Sequence, residues 1–282
     1  MVALATELPD LKSTYRLSPD TCARYRRDGH VMLRGVCSDE EAAAYREPIV
    51  AAAARFNRER RPLNERDTFG KAFLQTLNLW RKDEDVARFT LARRFARIAA
   101  ELMGVDAVRI YHDQALFKEV SGGYTPWHQD QYYFPIDTPN TVTMWMPIVD
   151  ISEDMGSLDF VSASHREGYM AKVETGDAGN DYYEPIIAKR RLPIARSGAM
   201  AAGDATFHAG WTLHRAGPNT SDRVREVMTV IYFADGARVT ECDHVHREQD
   251  LKAWLPGQKP GELAGTHINP VVYRRRSFDP AD

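Results

Sequence analysis

The chain has 282 residues, 43% of them apolar and 27% charged, enough for one large domain with a substantial core. A net charge of −3 with both signs interspersed leaves no basic field for nucleic acid or an anionic membrane surface, and no apolar run approaches the roughly 20 residues that span a bilayer. Cys22, Cys37 and Cys242 are an odd count at wide spacing without a CxxC pair; this argues against a disulfide framework or a thiolate metal site and fits a cytoplasmic protein.

The N-terminus, Met1-Val2-Ala3-Leu4-Ala5, lacks the basic and long apolar segments of a secretion signal. Ser18-Pro19 starts a helix, with a capping serine and proline at the first helical position, and Gly29 stops it. Ser38-Asp39-Glu40-Glu41 fits a capping box that opens an alanine-rich helix through Ala54, which Pro48 should bend or interrupt. A third helix is predicted from Asp83 to Met103. Its Leu91, Phe95, Ile98 and Leu102 form one buried face, and Gly104 closes it.

After Gly104 the pattern changes to short runs rich in β-branched and aromatic residues. These are Val108 to Val120, Thr141 to Val149, Leu158 to Ser162, Ala205 to Leu213 and Val224 to Phe233, separated by turn clusters such as Gly217-Pro218-Asn219. Many short strands at fairly regular spacing predict a mainly β fold, a jelly roll packed by the N-terminal helices. One domain over 1–282 is the simplest organisation, with helical support to 104, the jelly-roll core over 105–240 and an extension over 241–282. Gly168 to Arg191 is polar and irregular, either a lid beside a site or a plain surface insertion. Arg274-Arg275-Arg276 reads as a solvated tail.

The residues that carry chemistry are few. In Trp127-His128-Gln129-Asp130 an extended backbone sets His128 and Asp130 on one face, an imidazole beside a carboxylate. HxD alone is weak, since a surface His and Asp at this spacing arise by accident in many chains with nine histidines. The third ligand is expected from His214, with His208 as its rival. Two histidines and one carboxylate leave open positions that suit Fe(II) oxygen chemistry, whereas a structural zinc site is usually closed by four ligands. The preference for His214 rests on the turn just after it. A fold-back centred on Asn219-Thr220 would set His214 opposite Arg225, bringing a guanidinium near the metal to grip the far carboxylate of a chelating keto acid. A surface salt bridge is the alternative for Arg225.

At these residues the chain resembles the phytanoyl-CoA dioxygenase family of Fe(II)/2-oxoglutarate oxygenases. The resemblance runs from Leu17-Ser18-Pro19 and Gly29 to Gly35 through Trp127-His128-Gln129-Asp130, Tyr133-Phe134-Pro135, Trp145, Gly156-Ser157-Leu158 and Ser162 to His165. It ends with Gly203-Asp204, His214, Asn219 and Arg225. Within the family, the nogalamycin-type polyketide-tailoring carbocyclase and epimerase members are the ones it looks most like. The resemblance implies a cupin-like double-stranded β-helix, with His128, Asp130 and His214 as iron ligands. Arg225 then anchors 2-oxoglutarate, O₂ is the second co-substrate, and a small molecule is oxidised at a C–H bond. Trp145 and Gln114 match positions that often line the co-substrate pocket, Trp145 serving equally well as a core aromatic, and Gln75 is a looser match. Ala216 departs from the serine that several members carry two residues past the distal histidine, which would loosen 2-oxoglutarate binding. Tyr132, Phe134, Trp211 and the 168–191 segment are expected around the substrate. Two other classes stay open: a cupin-like metal-dependent isomerase or lyase that does not use O₂, and a non-catalytic jelly-roll binding module. Neither nucleic acid nor membrane is expected as a partner, and oligomeric state is left open.

Overall fold

Ser18 accepts a hydrogen bond from the Thr21 N–H, Pro19 fills the first turn and Gly29 closes the helix at φ 80°, so α1 (Pro19–Asp28) runs between the expected ends. The structure, a computed structural model, describes residues 7–171 and 173–275. After β1 (His30–Leu33), a capping box between Ser38 and Glu41 starts α2 (Asp39–Phe56). Pro48 does not end that helix. Buried Tyr45, Ile49, Ala52 and Ala53 hold its two halves to the core, and this packing outweighs the one ladder bond a proline removes.

α3 (Thr68–Ala72) and β2 (Leu74–Leu77) come next. The single helix expected from Asp83 to Met103 is two, α4 (Glu84–Thr90) and α5 (Arg93–Met103). Tertiary bonds break it at Leu91-Ala92: the buried Thr90 hydroxyl donates to Asp113, and the Arg94 N–H donates to the Leu11 carbonyl rather than up the helix.

The remaining elements are β3 (Ala107–Lys118), β4 (Thr125–His128), β5 (Thr141–Pro147), β6 (Leu158–Val161), α6 (Asp177–Arg190), β7 (Ile194–Arg196), β8 (Ala205–Ala209), β9 (His214–Ala216), β10 (Arg225–Ala234), α7 (Val245–Trp254) and β11 (Val271–Arg274). Thus the 168–191 segment carries a helix, and the strand expected through Leu213 ends at Ala209. The basic run is not simply a tail, because Arg274 ends β11 with a 2.6 Å ion pair to Asp235; Arg276 lies outside the described residues.

Among the described residues two antiparallel sheets face each other, a seven-stranded one in the order β1-β8-β5-β10-β3-β11 with β2 also on β3, and a four-stranded one, β4-β9-β6-β7. Alternation sorts the large sheet's side chains. Met144, Met146, Phe207, Met228, Val230 and Tyr232 face outward, in one core cluster with Ile49, Phe89, Phe95 and Ile98 of the helices. Each such burial stabilises the fold by about 1.5–3 kcal/mol. The opposite parity, including Thr143, Trp145, His208, Thr229 and Ile231, lines a cavity of about 500 Å³ between the sheets.

The fold-back after His214 is not a hairpin. β9 pairs with β4 and β6, whereas β10 pairs with β3 and β5. The Gly217 to Asp222 turn carries the chain from one sheet to the other, so His214 and Arg225 line the cavity from different sheets and are not ladder partners. β3 bears a bulge, because Ile231 pairs with His112 and Tyr232 with Ile110, leaving Tyr111 extra.

Candidate metal centre

β4 and β9 lie side by side with His128 and His214 as Cα partners, which brings their rings to 4.1 Å between centroids. β4 ends at His128, but Gln129 keeps an extended backbone (φ −119°, ψ 122°) and its amide donates to the Gly168 and Trp211 carbonyls. That anchor turns Gln129 away from the cavity and Asp130 into it. Asp130 itself opens a 3-10 turn, so the strand expected to carry the whole HxD motif stops short of its carboxylate. The Asp130 Oδ1 lies 3.6 Å from His128 Nε2 and 3.7 Å from His214 Nε2, and one ligand atom from each residue falls within 4.8 Å of the others.

Both imidazoles are oriented from behind. The Nδ1–H of His128 donates to the Pro126 carbonyl at 2.8 Å, and that of His214 to the Thr212 carbonyl at 3.0 Å. Each Nε2 is thereby turned toward the carboxylate, the orientation a metal ligand needs. Burial, with the His128 and His208 rings, drives His214 well below the usual imidazole range. Burial works to raise the Asp130 carboxyl, but His214 and the contacts with His128 and His208 outweigh it and hold it well below the ordinary carboxylate range. Two imidazole Nε2 atoms and one carboxylate oxygen, open on the cavity side, could hold a divalent ion with free positions.

His208 belongs to the other sheet, opposite Thr143 on β5. Its Nε2 is 3.3 Å from Asp130 Oδ2, without hydrogen-bond alignment, and the ring packs 4.4 Å from His214. Thr143 donates to the same Oδ2 at 2.7 Å. One carboxylate oxygen is therefore held from the sheet while the other faces the histidines. Thr143→Val should lower metal affinity about 10- to 100-fold, the usual effect of losing an outer partner, with the melting temperature little changed. Equilibrium dialysis against iron(II) under anaerobic conditions checks this.

Arg225 is 1% exposed, and its Nη1 donates to the Gly156 carbonyl at 2.6 Å. Its Nε has no partner, its guanidinium lies 5.2 Å over the Trp145 ring, and burial lowers its pKa to about 9. No carboxylate among the described residues pairs with it. A buried guanidinium with an idle N–H, facing the cavity, awaits an anion. Its cross-strand partner Lys118 is fully buried and donates to the Gly123 carbonyl; burial first, and Arg225 second, push it down to about 6, so only one of the two bases is charged. Sequence reading missed Lys118. The wall next to Arg225 holds Trp145, Gln114 and Gln75, whose amide donates to Gln114 at 2.6 Å, and Ala216 lines the cavity across from them.

The expected substrate wall is corrected in part. Phe134 lines the cavity, as do Glu174 and Thr175 of the 168–191 segment, but Tyr132 and Trp211 do not. Tyr132 stacks on His244 at 4.2 Å, and Trp211 packs on Tyr169 at 5.5 Å. In their place the 241–282 extension brings His246, Gln249, Asp250 and Trp254 of α7 to the rim, and β3 brings His112. No short motif marks these residues, because α7 reaches the cavity only through tertiary packing.

Residues 25–227 match the family phytanoyl-CoA dioxygenase (PhyH). The chain belongs to the phytanoyl-CoA dioxygenase family. Among curated proteins of the family's chemistry, it is 25% identical over 136 residues to a probable alpha-ketoglutarate-dependent hypophosphite dioxygenase of Stutzerimonas stutzeri, covering 46% of each chain. It thus spans about half the length of that curated relative. Its structure is similar to a non-haem alpha-ketoglutarate-dependent carbocyclase from nogalamycin biosynthesis, with a TM-score of 0.75, 24% identity and coverage of 91% of this chain and 96% of that one. It is also similar to an epimerase from the same biosynthesis solved with Fe3+, alpha-ketoglutarate and nogalamycin RO, with a TM-score of 0.70, 24% identity and coverage of 90% and 97%. At these identities the structural likeness establishes the fold, the jelly roll of the 2-oxoglutarate oxygenases. No described helix is long and apolar enough to cross a membrane.

Proposed function

We propose that this phytanoyl-CoA dioxygenase family chain is an iron(II)- and 2-oxoglutarate-dependent oxygenase that oxidises a C–H bond of a small molecule, by hydroxylation, epimerisation or oxidative cyclisation. The observation that carries the reading is the pairing, in one cavity, of an open His128-Asp130-His214 cluster with a buried guanidinium with which no carboxylate among the described residues pairs. Iron would supply the oxygen chemistry when bound with 2-oxoglutarate and O₂.

The chain's own residues bind, orient and exclude water. His128 and His214 offer Nε2 lone pairs fixed by their carbonyl partners, and Asp130 offers Oδ1 while Thr143 occupies Oδ2. Arg225 takes the far carboxylate of 2-oxoglutarate over Trp145, and Gln114, tied to Gln75, contributes an amide edge. Ala216 offers that carboxylate no hydroxyl, so Arg225 carries more of the grip. An unpaired Arg225 also counts against the cupin isomerase and the binding module, neither of which needs a keto-acid anchor. We further assign the activity to one domain acting in the cytoplasm, where the free Cys22, Cys37 and Cys242 stay reduced, and to antibiotic or polyketide tailoring by analogy with the nogalamycin enzymes.

Anaerobic titration with iron(II) and 2-oxoglutarate, followed by admission of O₂, tests the assignment. A visible charge-transfer band on adding 2-oxoglutarate to the iron form, then succinate release that depends on iron, is the expected result. Neither band nor succinate would remove the oxygenase reading.

A further inference from the structure

The cavity has two ends. Along β3 and β10, Lys118 pairs with Arg225 at one end and His112 with Ile231 at the other, six residues away on each strand, or roughly 20 Å of extended chain. Arg225, Trp145 and Gln114 furnish the first end. The second is built differently, around the β3 bulge.

That bulge aims two consecutive side chains, Tyr111 and His112, toward the same side, at the expense of regular pairing beside the site. The Tyr111 hydroxyl donates to Asp250 Oδ2 at 2.9 Å. His112 is 5% exposed, lines the cavity, packs against Trp254 at 4.9 Å, and its buried Nδ1 has no partner. Asp250 also lines the cavity, one helical turn before Trp254, and no cation among the described residues pairs with it. Burial consequently pushes its carboxyl up to about 7. A carboxyl that is steadied by a tyrosine, faces a ligand cavity and lacks a counter-charge is arranged for a group the protein does not contain.

Resting on the oxygenase reading above, we propose that Asp250, with His112 and Trp254, forms the substrate-recognition subsite, and that it takes a protonated amine carried on a cyclic substrate. The ammonium supplies the missing counter-charge to Asp250, the ring lies against Trp254, and His112 Nδ1 engages a neighbouring polar atom. Asp250 and Trp254 lie on α7, outside the matched residues 25–227, whereas His112 lies within them.

The test uses the full chain loaded with zinc and 2-oxoglutarate, and ring-bearing fragments in matched sets that differ only in an aminomethyl, hydroxymethyl or carboxymethyl group. Binding is measured by ligand-detected NMR and calorimetry. The amines should bind at least tenfold more tightly than their carboxylate counterparts, with the alcohols between. Asp250→Asn should erase that order while 2-oxoglutarate still raises the melting temperature as in the unaltered chain. A crystal of the unaltered chain with the tightest amine should place its nitrogen within hydrogen-bond distance of Asp250, which decides the matter even if the variant does not fold. No binding by any amine, equal binding by all three classes, a preference that survives in folded Asp250→Asn, or a nitrogen seated elsewhere overturns the proposal. Running the series on the metal-free chain as well separates the two readings. Loss of zinc and 2-oxoglutarate binding would sink the oxygenase assignment, while the amine order still decides Asp250.

Discussion

Arg225→Ala should raise the concentration of 2-oxoglutarate needed for half-maximal turnover by roughly two orders of magnitude, with a much smaller change in the limiting rate. Removing one partner of a buried, hydrogen-bonded charge pair costs about 2–5 kcal/mol, and the guanidinium here is buried, lines the cavity and has an unpartnered Nε. The loss falls on co-substrate binding because Arg225 donates to Gly156 and lies over Trp145, while the histidines and Asp130 are held by other carbonyls and by Thr143. Arg225→Lys should recover only part of the affinity, since an ammonium cannot reproduce the two-pronged grip. Stability moves the other way. Without 2-oxoglutarate the variant should melt no lower than the parent, because an unpaired buried cation is a burden on the folded state. Saturation kinetics in 2-oxoglutarate, with thermal melts in its presence and absence, measure both effects. An unchanged half-saturation would mean that the anion is held elsewhere.

The second large effect concerns the metal. His128→Ala and His214→Ala should each lower iron(II) affinity by more than about 100-fold, beyond the 10- to 100-fold typical of losing an outer partner, and turnover should fall in parallel. Asp130→Asn keeps the shape but removes the one anionic donor and should behave like them. His208→Asn is the contrast. His208 lies against Oδ2 and not against Oδ1, which faces the two Nε2 atoms, so metal should stay bound with at most the loss expected for Thr143→Val. Metal content after anaerobic loading and desalting separates the cases. A His208 variant as empty as the His214 variant would show that the roles of the two rings are misassigned.

Local chemistry made much of this legible. Ser18-Pro19 with Gly29, and the Ser38 capping box, read as helix ends because each cap is satisfied within a few residues. The strands over 107–118, 141–147 and 225–234 stood out by their composition. Where distant contacts compete with local preference, reading failed. Asp113 and Leu11 split the helix around Leu91, core packing carried α2 through Pro48, and the polar 168–191 segment gained α6. The approach of His214 and Arg225 was expected for a reason that does not hold. They line one cavity because two sheets stack, not because one hairpin closes.

What the sequence by itself determined is the chemical alphabet of the site: an imidazole and a carboxylate two residues apart on extended chain, a later histidine, and an arginine beyond a turn, in an order that also marks the family. Alternation of side chains and turn chemistry are local rules, so they survive without coordinates. Only the tertiary structure decided which histidine faces Asp130 Oδ1 and which Oδ2, that no carboxylate among the described residues pairs with Arg225, and that α7 and a bulged β3 close the far end of the cavity. Those facts depend on sheet stacking and on burial, which are set by contacts between residues far apart in the chain and leave no signature at either position alone.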